Sequence, residues 1–406
     1  MRVNAVRRSG SFLQLIRLLL LAAASRESRP VENTRICPIP IHMMLADEER
    51  LMKAITNSSS AEVEAVLRTG KVNLNFTDEN GMTPLENACY KGRYDVAKLL
   101  IDRGADVNSQ KHVHGYTALM FAALGGHVSV VSLLLEHGAD AAAKNSVNRT
   151  AAQMAAFVGQ HRAVTVINNF VPREEVECFT KPAGLEKEAK LPPQLLNPVL
   201  TFIRRINVNP IRVAMELTAA KVLLEQHEKV VRLLDILCER EMGKDDPNEP
   251  LAMKYHHLSF LVKHIVHAYE KSPDEEAKLQ SLCKFWLKGD ENGFPVTLEN
   301  LLRQSIKEFP FRDTSIFLQL VKTLYNVPVG SEPSAITILA KSINGQKGFD
   351  EDSPVCSTCG ESAPPKKCSQ CKSVQYCDQT CQKMHWFTHR KICSKLKQER
   401  DTESPN

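Results

Sequence analysis

Asn80-Gly81-Met82-Thr83-Pro84-Leu85, followed by Ala88, Gly92, Val96, Leu99, Leu100 and the closing Gly104-Ala105-Asp106-Val107-Asn108, is one unit of a repeat. Thr83, Thr117 and Thr150 recur at steps of 34 and 33 residues, and Gly104-Ala105-Asp106 returns as Gly138-Ala139-Asp140. Each piece has a mechanical part: Thr83 caps a helix that Pro84 begins, Gly92 turns the chain tightly into a second helix, and Gly104 supplies a left-handed stop. The next unit runs Gly115-Tyr116-Thr117-Ala118-Leu119 through Gly126, Val130, Leu133, Leu134 and Gly138. A further one starts at Thr150 with Ala155, Ala156 and Gly159 and fades after Ile167. Upstream, Glu48 to Asn75 holds a degenerate copy, with Leu51, Ala54, Val63, Val66, Leu67 and Gly70 in register.

A period near 33 with these signatures resembles ankyrin repeats, three to four of them over residues 45–171. The Thr-Pro-Leu-His tetrapeptide of that family stands here as Thr83-Pro84-Leu85-Glu86, Thr117-Ala118-Leu119-Met120 and Thr150-Ala151-Ala152-Gln153. The bracing histidine is absent each time, which predicts weaker bonding between repeats. The resemblance implies a concave protein-binding face of hairpin tips and first helices, with Tyr90, His114 and Tyr116 as its exposed candidates.

Seven cysteines and one histidine, Cys356, Cys359, Cys368, Cys371, Cys377, Cys381, His389 and Cys393, fall within 38 residues near the C-terminus. Their spacing, C-x2-C-x8-C-x2-C-x5-C-x3-C-x7-H-x3-C, supplies eight ligands, enough for two closed tetrahedral zinc shells with no open catalytic position. Disulfide pairing would need an oxidising compartment and would leave the paired C-x2-C spacing unexplained. So small a unit lacks a sufficient apolar core, so metal binding and folding are expected to be one event.

The spacing, Tyr376 before the fifth ligand, and the run Cys381-Gln382-Lys383-Met384-His385-Trp386-Phe387-Thr388-His389 resemble a MYND zinc finger over residues 356–393. The resemblance implies interleaved sites: Cys356, Cys359, Cys377 and Cys381 on a first zinc, Cys368, Cys371, His389 and Cys393 on a second. It places the ligand at His389 and leaves His385 out. It also implies recognition of short proline-containing peptides, often of Pro-x-Leu-x-Pro type, beside the second zinc. The matching positions are Trp386, an apolar plate for a proline ring or else the small core of the finger, and Ser369 and Gln382, which can hydrogen-bond an extended backbone. From Lys366 to Arg400 nine Lys or Arg face two acids. Few aromatics interleave with them and the whole chain is only +5, so a solvated basic face is favoured over nucleic-acid binding.

Between the two lies a different composition. A polar, proline-punctuated linker (172–194, with its polar core from Pro182 to Pro193) leads into a helical domain over 195–348. Its apolar residues recur at three and four in Leu195–Ile206, Pro210–Met242, Leu251–Glu270, Asp274–Leu287, Leu298–Phe309 and Ser315–Leu324. Loops fall at Asp245-Asp246-Pro247 and Gly289 to Pro295. No phosphate loop, carboxylate pair or nucleophile motif appears there. Cys238 and Cys283 are expected as buried thiols, and His256, His257, His264 and His267 as core or solvated side chains rather than ligands.

The order of parts, and tracts such as His114 to Leu124, Arg149 to Gln160 and Cys377 to Lys383, resemble the family of ankyrin repeat and MYND domain-containing protein 2 over roughly Glu48 to Lys397. The expected fold class is mainly α: a solenoid, a helical middle and a small C-terminal double-zinc finger. The resemblance implies a non-enzymatic adaptor with two zinc ions, binding proteins through both ends and linked to trafficking of signalling proteins to the primary cilium. It also implies cytoplasmic and ciliary localisation and an FK506-binding-type immunophilin as one partner. Other readings are a nuclear transcriptional corepressor adaptor and, because MYND fingers also accompany SET domains, a methyltransferase. The latter needs a β-built methyl-donor domain that the helical middle does not offer.

Residues 1–44 depart from that family. Arg2, Arg7, Arg8 and Arg17 precede the first acid, Glu27, and Leu13 to Ala24 is an apolar run interrupted by Arg17, which reads as a leader or disordered extension. A secretory route would oxidise the zinc ligands, and the run is too short to span a bilayer. Met43 or Met44 is a reasonable start for the globular part. Residues 394–406 are expected as a disordered tail, and the sequon at Asn148-Arg149-Thr150 as structural.

Overall fold

Thr83, Thr117 and Thr150 stand in extended backbone and accept from the amides of Glu86, Met120 and Gln153, so each expected cap opens a helix. The computed structural model describes residues 46–57, 60–68, 72–184, 188–270, 275–345 and 354–403; the expected leader lies outside them. The repeat region is four helix pairs: α1 (Ala46–Asn57) and α2 (Ser60–Leu67), α3 (Pro84–Tyr90) and α4 (Tyr94–Asp102), α5 (Ala118–Leu124) and α6 (Val128–Glu136), α7 (Ala151–Phe157) and α8 (His161–Asn169). The first helices of the last two pairs are nearly all apolar, and every residue of α5 is buried. At Gly92 the backbone takes φ +68° and His127 lies where a Cβ would sit, so this turn demands glycine on both counts.

Bonding between repeats differs from expectation. Asn75 and Asn108, 33 positions apart, do what the missing histidines would have done. The Asn75 side-chain oxygen accepts from the Asp106 amide at 2.9 Å, and that of Asn108 from the Asp140 amide at 2.8 Å. Asn108 also donates to the Gly138 carbonyl at 2.9 Å, and His127 Nε2 sits 2.9 Å from the Tyr90 carbonyl. The bracing polar groups are displaced to the loops rather than lost. Tyr116, expected exposed, is 4% exposed; its ring packs 5.0 Å from His112 and 5.5 Å from Phe121. Tyr90 and His114 are half-buried.

The stretch expected as a linker is part of the core. Helix α9 (Arg173–Glu177) and a short 3-10 turn bury Val176 and Phe179, and Leu191 is fully buried with them. The body that follows comprises α10 (Leu196–Ile203), α11 (Pro210–Ala219), α12 (Lys221–Glu225), α13 (His227–Met242), α14 (Glu249–Glu270), α15 (Glu275–Trp286), α16 (Val296–Lys307), α17 (Ser315–Tyr325) and α18 (Ala335–Asn344). Pro210–Met242 is thus three helices, and α18 has no counterpart among the expected ones. Helix α14 is central; twelve of its residues are buried.

Cys238 and Cys283 are buried, and burial pushes each thiol up to about 12. His257 is enclosed between Ser305 Oγ at 2.8 Å and the Val208 carbonyl at 3.1 Å; no metal-binding group forms here among the described residues.

A buried polar chain ties the last repeat to this body. Lys254 Nζ donates to Asn169 Oδ1 at 2.8 Å, and Asn169 donates to Asn344 Oδ1 at 2.9 Å. Thr165 donates to the Asn344 carbonyl at 3.1 Å, and Asn344 to that of Ile206 at 3.3 Å. Among the described residues no helix is long and apolar enough to cross a membrane.

Candidate metal centre

Two knuckles and a helix assemble the C-terminal site. In the first knuckle the Cys356 amide bonds the Glu361 carbonyl at 2.8 Å, and the Gly360 amide closes back on Cys356 at 2.9 Å. In the second, the Cys368 amide bonds Val374 at 3.0 Å and the Lys372 amide returns to Cys368 at 3.0 Å. Strand β1 (Lys366–Lys367) pairs antiparallel with β2 (Gln375–Tyr376), Lys366 opposite Tyr376, which sets the knuckles side by side. Helix α19 (Gln379–Glu403) follows, capped by Asp378, whose side chain accepts from the Cys381 amide at 2.7 Å.

The ligand atoms gather into two groups, Cys356, Cys359, Cys377 and Cys381, and Cys368, Cys371, His389 and Cys393, each group within 4.8 Å of itself. Seven are buried and Cys377 half-buried. Cys359 Sγ lies 3.5 Å from Cys377 Sγ and 3.8 Å from Cys381 Sγ; Cys368 Sγ lies 3.9 Å from Cys393 Sγ. His389 Nε2 is 3.3 Å from Cys368 Sγ and 3.6 Å from Cys371 Sγ. The edge of a tetrahedron of thiolates around zinc is about 3.8 Å, and the sulfur–nitrogen edge about 3.6 Å, from the usual zinc–ligand distances. These separations fit two zinc ions and exceed the ~2.05 Å of a disulfide.

His385 belongs to neither group. Burial pushes its ring down to about 4, so it is neutral, and its Nδ1 lies 3.1 Å from the hydroxyl of fully buried Tyr376. Tyr376 thereby wedges between the knuckles and α19.

Residues 394–403, expected as a disordered tail, continue α19, and Arg400 donates to the Cys371 carbonyl at 2.7 Å. Of the positions matched to peptide binding, Ser369 is exposed in the second knuckle and Gln382 is half-buried. Trp386 is 41% exposed, its ring 5.9 Å from that of His389.

Sequence reasoning missed how the finger is seated. Thr388 donates to the Leu287 carbonyl at 2.7 Å and accepts from the Gly289 amide at 3.4 Å. A Cβ on Gly293 would stand 2.6 Å from Ile392, so the Gly289–Gly293 loop must be bare for α19 to approach. On the other side Asn207 donates to the Cys359 carbonyl at 3.0 Å, and Arg212 lies 3.6 Å from Glu361. The ligand cysteines share one apolar cluster with the helical body. The glycines of 289–293 are the one signal of this contact in the sequence, and by themselves they read as a loop.

The MYND finger family matches residues 356–393, and the ankyrin-repeat family (many copies) matches residues 85–135. The chain is 30% identical over 361 residues to Dauer abnormal formation protein 25 of Caenorhabditis elegans, covering 87% of this chain and 92% of that protein. It belongs to the family of that protein, with ankyrin repeats and a C-terminal MYND finger. Two further likenesses are partial. Ubiquitin carboxyl-terminal hydrolase 19 of Arabidopsis thaliana is 38% identical over 106 residues, 23% of this chain and 15% of that protein. Human histone-lysine N-methyltransferase SMYD1 is 46% identical over 44 residues, 11% and 9%. Both end modules are of the protein-interaction kind, which gives the chain an adaptor's architecture with protein partners.

Proposed function

We propose that this chain is a non-enzymatic adaptor. Its finger grips a proline-containing peptide on Trp386, Gln382 and Ser369, and its array holds a second protein, in the trafficking of signalling proteins to the primary cilium. The observation that carries the peptide reading is Trp386. A large aromatic left 41% exposed, in a finger whose cysteines other than Cys377 are buried, offers a proline ring a flat apolar partner. Gln382 stands one turn earlier on the same face of α19. The ciliary setting, cytoplasmic localisation and an immunophilin of FK506-binding type as partner follow the family resemblance. Against a methyltransferase stands the body itself, helical from Leu196 to Asn344 apart from loops among its described residues, where a SET domain is largely β-built.

The test uses the full zinc-loaded chain and a fluorescein-labelled Pro-x-Leu-x-Pro peptide, read by anisotropy. Trp386→Ala with Gln382→Ala should weaken binding at least about tenfold, the loss expected of an aromatic anchor, with two zincs still bound per chain. Unchanged affinity with zinc intact would place recognition elsewhere. The same pair of proteins, tagged in ciliated cells, tests the setting: the intact chain should reach the cilium or its base.

A further inference from the structure

Between Pro354 and Lys397 the chain carries two carboxylates and eight Lys or Arg side chains. Both carboxylates are used internally. Asp378 caps α19, and Glu361 is held by Arg212 and by Asn207 of the helical body. Lys395 pairs with Glu399 at 4.0 Å, but six of the cations are not used: Lys366, Lys367, Lys372, Lys383, Arg390 and Lys391 are all exposed, and none of these six is in an ion pair among the described residues. Two zinc shells of four and three thiolates carry a small negative excess, too small to cancel eight cations.

The placement matters more than the count. Gln382, Trp386 and Arg390 succeed one another at steps of four, forming one stripe on α19, and Lys383 lies seven residues before Arg390 on the adjoining row. The knuckle bearing Ser369, joined to α19 through the ligand group of Cys368, Cys371, His389 and Cys393, is entered through Lys366 and Lys367 and left through Lys372, which takes the left-handed φ of +57°. Both elements that carry the candidate peptide positions, α19 and the second knuckle, are therefore cationic, and the two carboxylates of this stretch are already engaged.

We infer that the finger selects a peptide with acidic residues flanking its proline core, Arg390 closing in a two-pronged bond on one carboxylate and Lys383 and Lys372 adding charge attraction. The inference rests on the peptide reading of Trp386 above and adds its charge rule. A guanidinium fork one turn beyond the aromatic plate is the right distance for a carboxylate a few residues from a stacked proline. The lysines act at longer range, so their share fades with salt.

The experiment compares three labelled peptides with the same Pro-x-Leu-x-Pro core and flanks of Asp and Glu, of Ser and Gly, or of Lys, on the full zinc-loaded chain. The acidic flank should bind about tenfold tighter than the neutral one at low salt, the gap shrinking at high salt, and the Lys flank weakest. Arg390→Glu should abolish or invert the gap while neutral-peptide affinity and two zincs per chain persist; Lys383→Glu, on a neighbouring exposed row, should narrow it. Equal binding of acidic and neutral peptides would overturn the charge rule and leave the proline reading standing. Failure of all three would remove that reading and the rule with it. Displacement of the acidic peptide by a single-stranded oligonucleotide of matched charge, as well as by unlabelled peptide, would make the face a general polyanion surface and overturn the inference.

Discussion

In the array, a seven-residue helix such as α3 is closed by a reciprocal cap of Thr83 and Glu86 and pressed between neighbouring repeats that bury Leu85, Ala88 and Cys89. In the finger, two-residue strands and two knuckles have no comparable apolar filling; cysteines take the place of leucines, and their thiolates converge on two points. Apolar stacking spreads stabilisation over many small contacts, so one repeat can be degenerate and the array still closes. Metal ligation concentrates it in eight atoms. The two ends should therefore fail in different ways.

The largest effect follows from zinc removal. A strong chelator should unfold the finger outright, with a loss of about 10 kcal/mol or more of binding-linked folding energy, while the array keeps its helices. Protease cleavage near residues 366–376 and lost helical signal from α19, without new cleavage between 84 and 169, would be the observed pattern. Because Thr388 and Asn207 fasten the finger to the body, α15 and the Gly289–Gly293 loop should loosen next. New cleavage within the array at the same chelator concentration would mean that the ends are not independent.

How much of this was readable from residues alone follows the same division. Caps, turn glycines and eight ligands carry local, periodic signals, so the helix pairs of the array and the metal groups were expected where they stand. Asn75, Asn108, Asn207, Lys254 and Thr388 are single polar residues whose partners across the fold lie 30 to 154 positions away, as Asn108 to Gly138 and Asn207 to Glu361 illustrate. No period marks them. For the same reason residues 172–194 read as a polar linker although Val176, Phe179 and Leu191 bury themselves, and 394–403 read as a tail although Arg400 reaches back to the second knuckle.

The seam between array and body sharpens the contrast, because it is held by a buried amine. Burial, with Arg205 nearby, pushes Lys254 down to about 7. A folded-state value below that of the unfolded chain means that folding releases a proton between roughly pH 10.5 and 7. Stability from this group is thus fullest above 10.5 and is lost as pH falls to 7, by about 4 kcal/mol. Lys254→Met should flatten that part of the profile while leaving Asn169 Oδ1 short of a donor, which costs about 1–3 kcal/mol at every pH. Urea midpoints of both proteins from pH 6 to 10 read this directly; a difference independent of pH would show that Lys254 is not the group titrating.

Within the array the sign reverses. Glu86 occupies the place of the absent histidine and is fully buried. One oxygen accepts from the Thr83 amide at 2.8 Å, and the other has no hydrogen-bond partner. Burial raises its carboxyl from 4.5 to about 7, against the lowering pull of the Thr83 bonds. Here the folded state holds its proton longer than the unfolded chain, so stability is fullest below pH 4.5 and is lost as pH rises to 7, by about 3 kcal/mol at most. Glu86→Gln keeps an acceptor for the Thr83 amide and removes the charge. It should raise the stability of the array at pH 8 by up to about 3 kcal/mol and do nothing at pH 4. A variant less stable than the parent at pH 8 would mean that the carboxylate is held by the repeat rather than tolerated by it, and that the array depends on a point charge much as the finger depends on its metal.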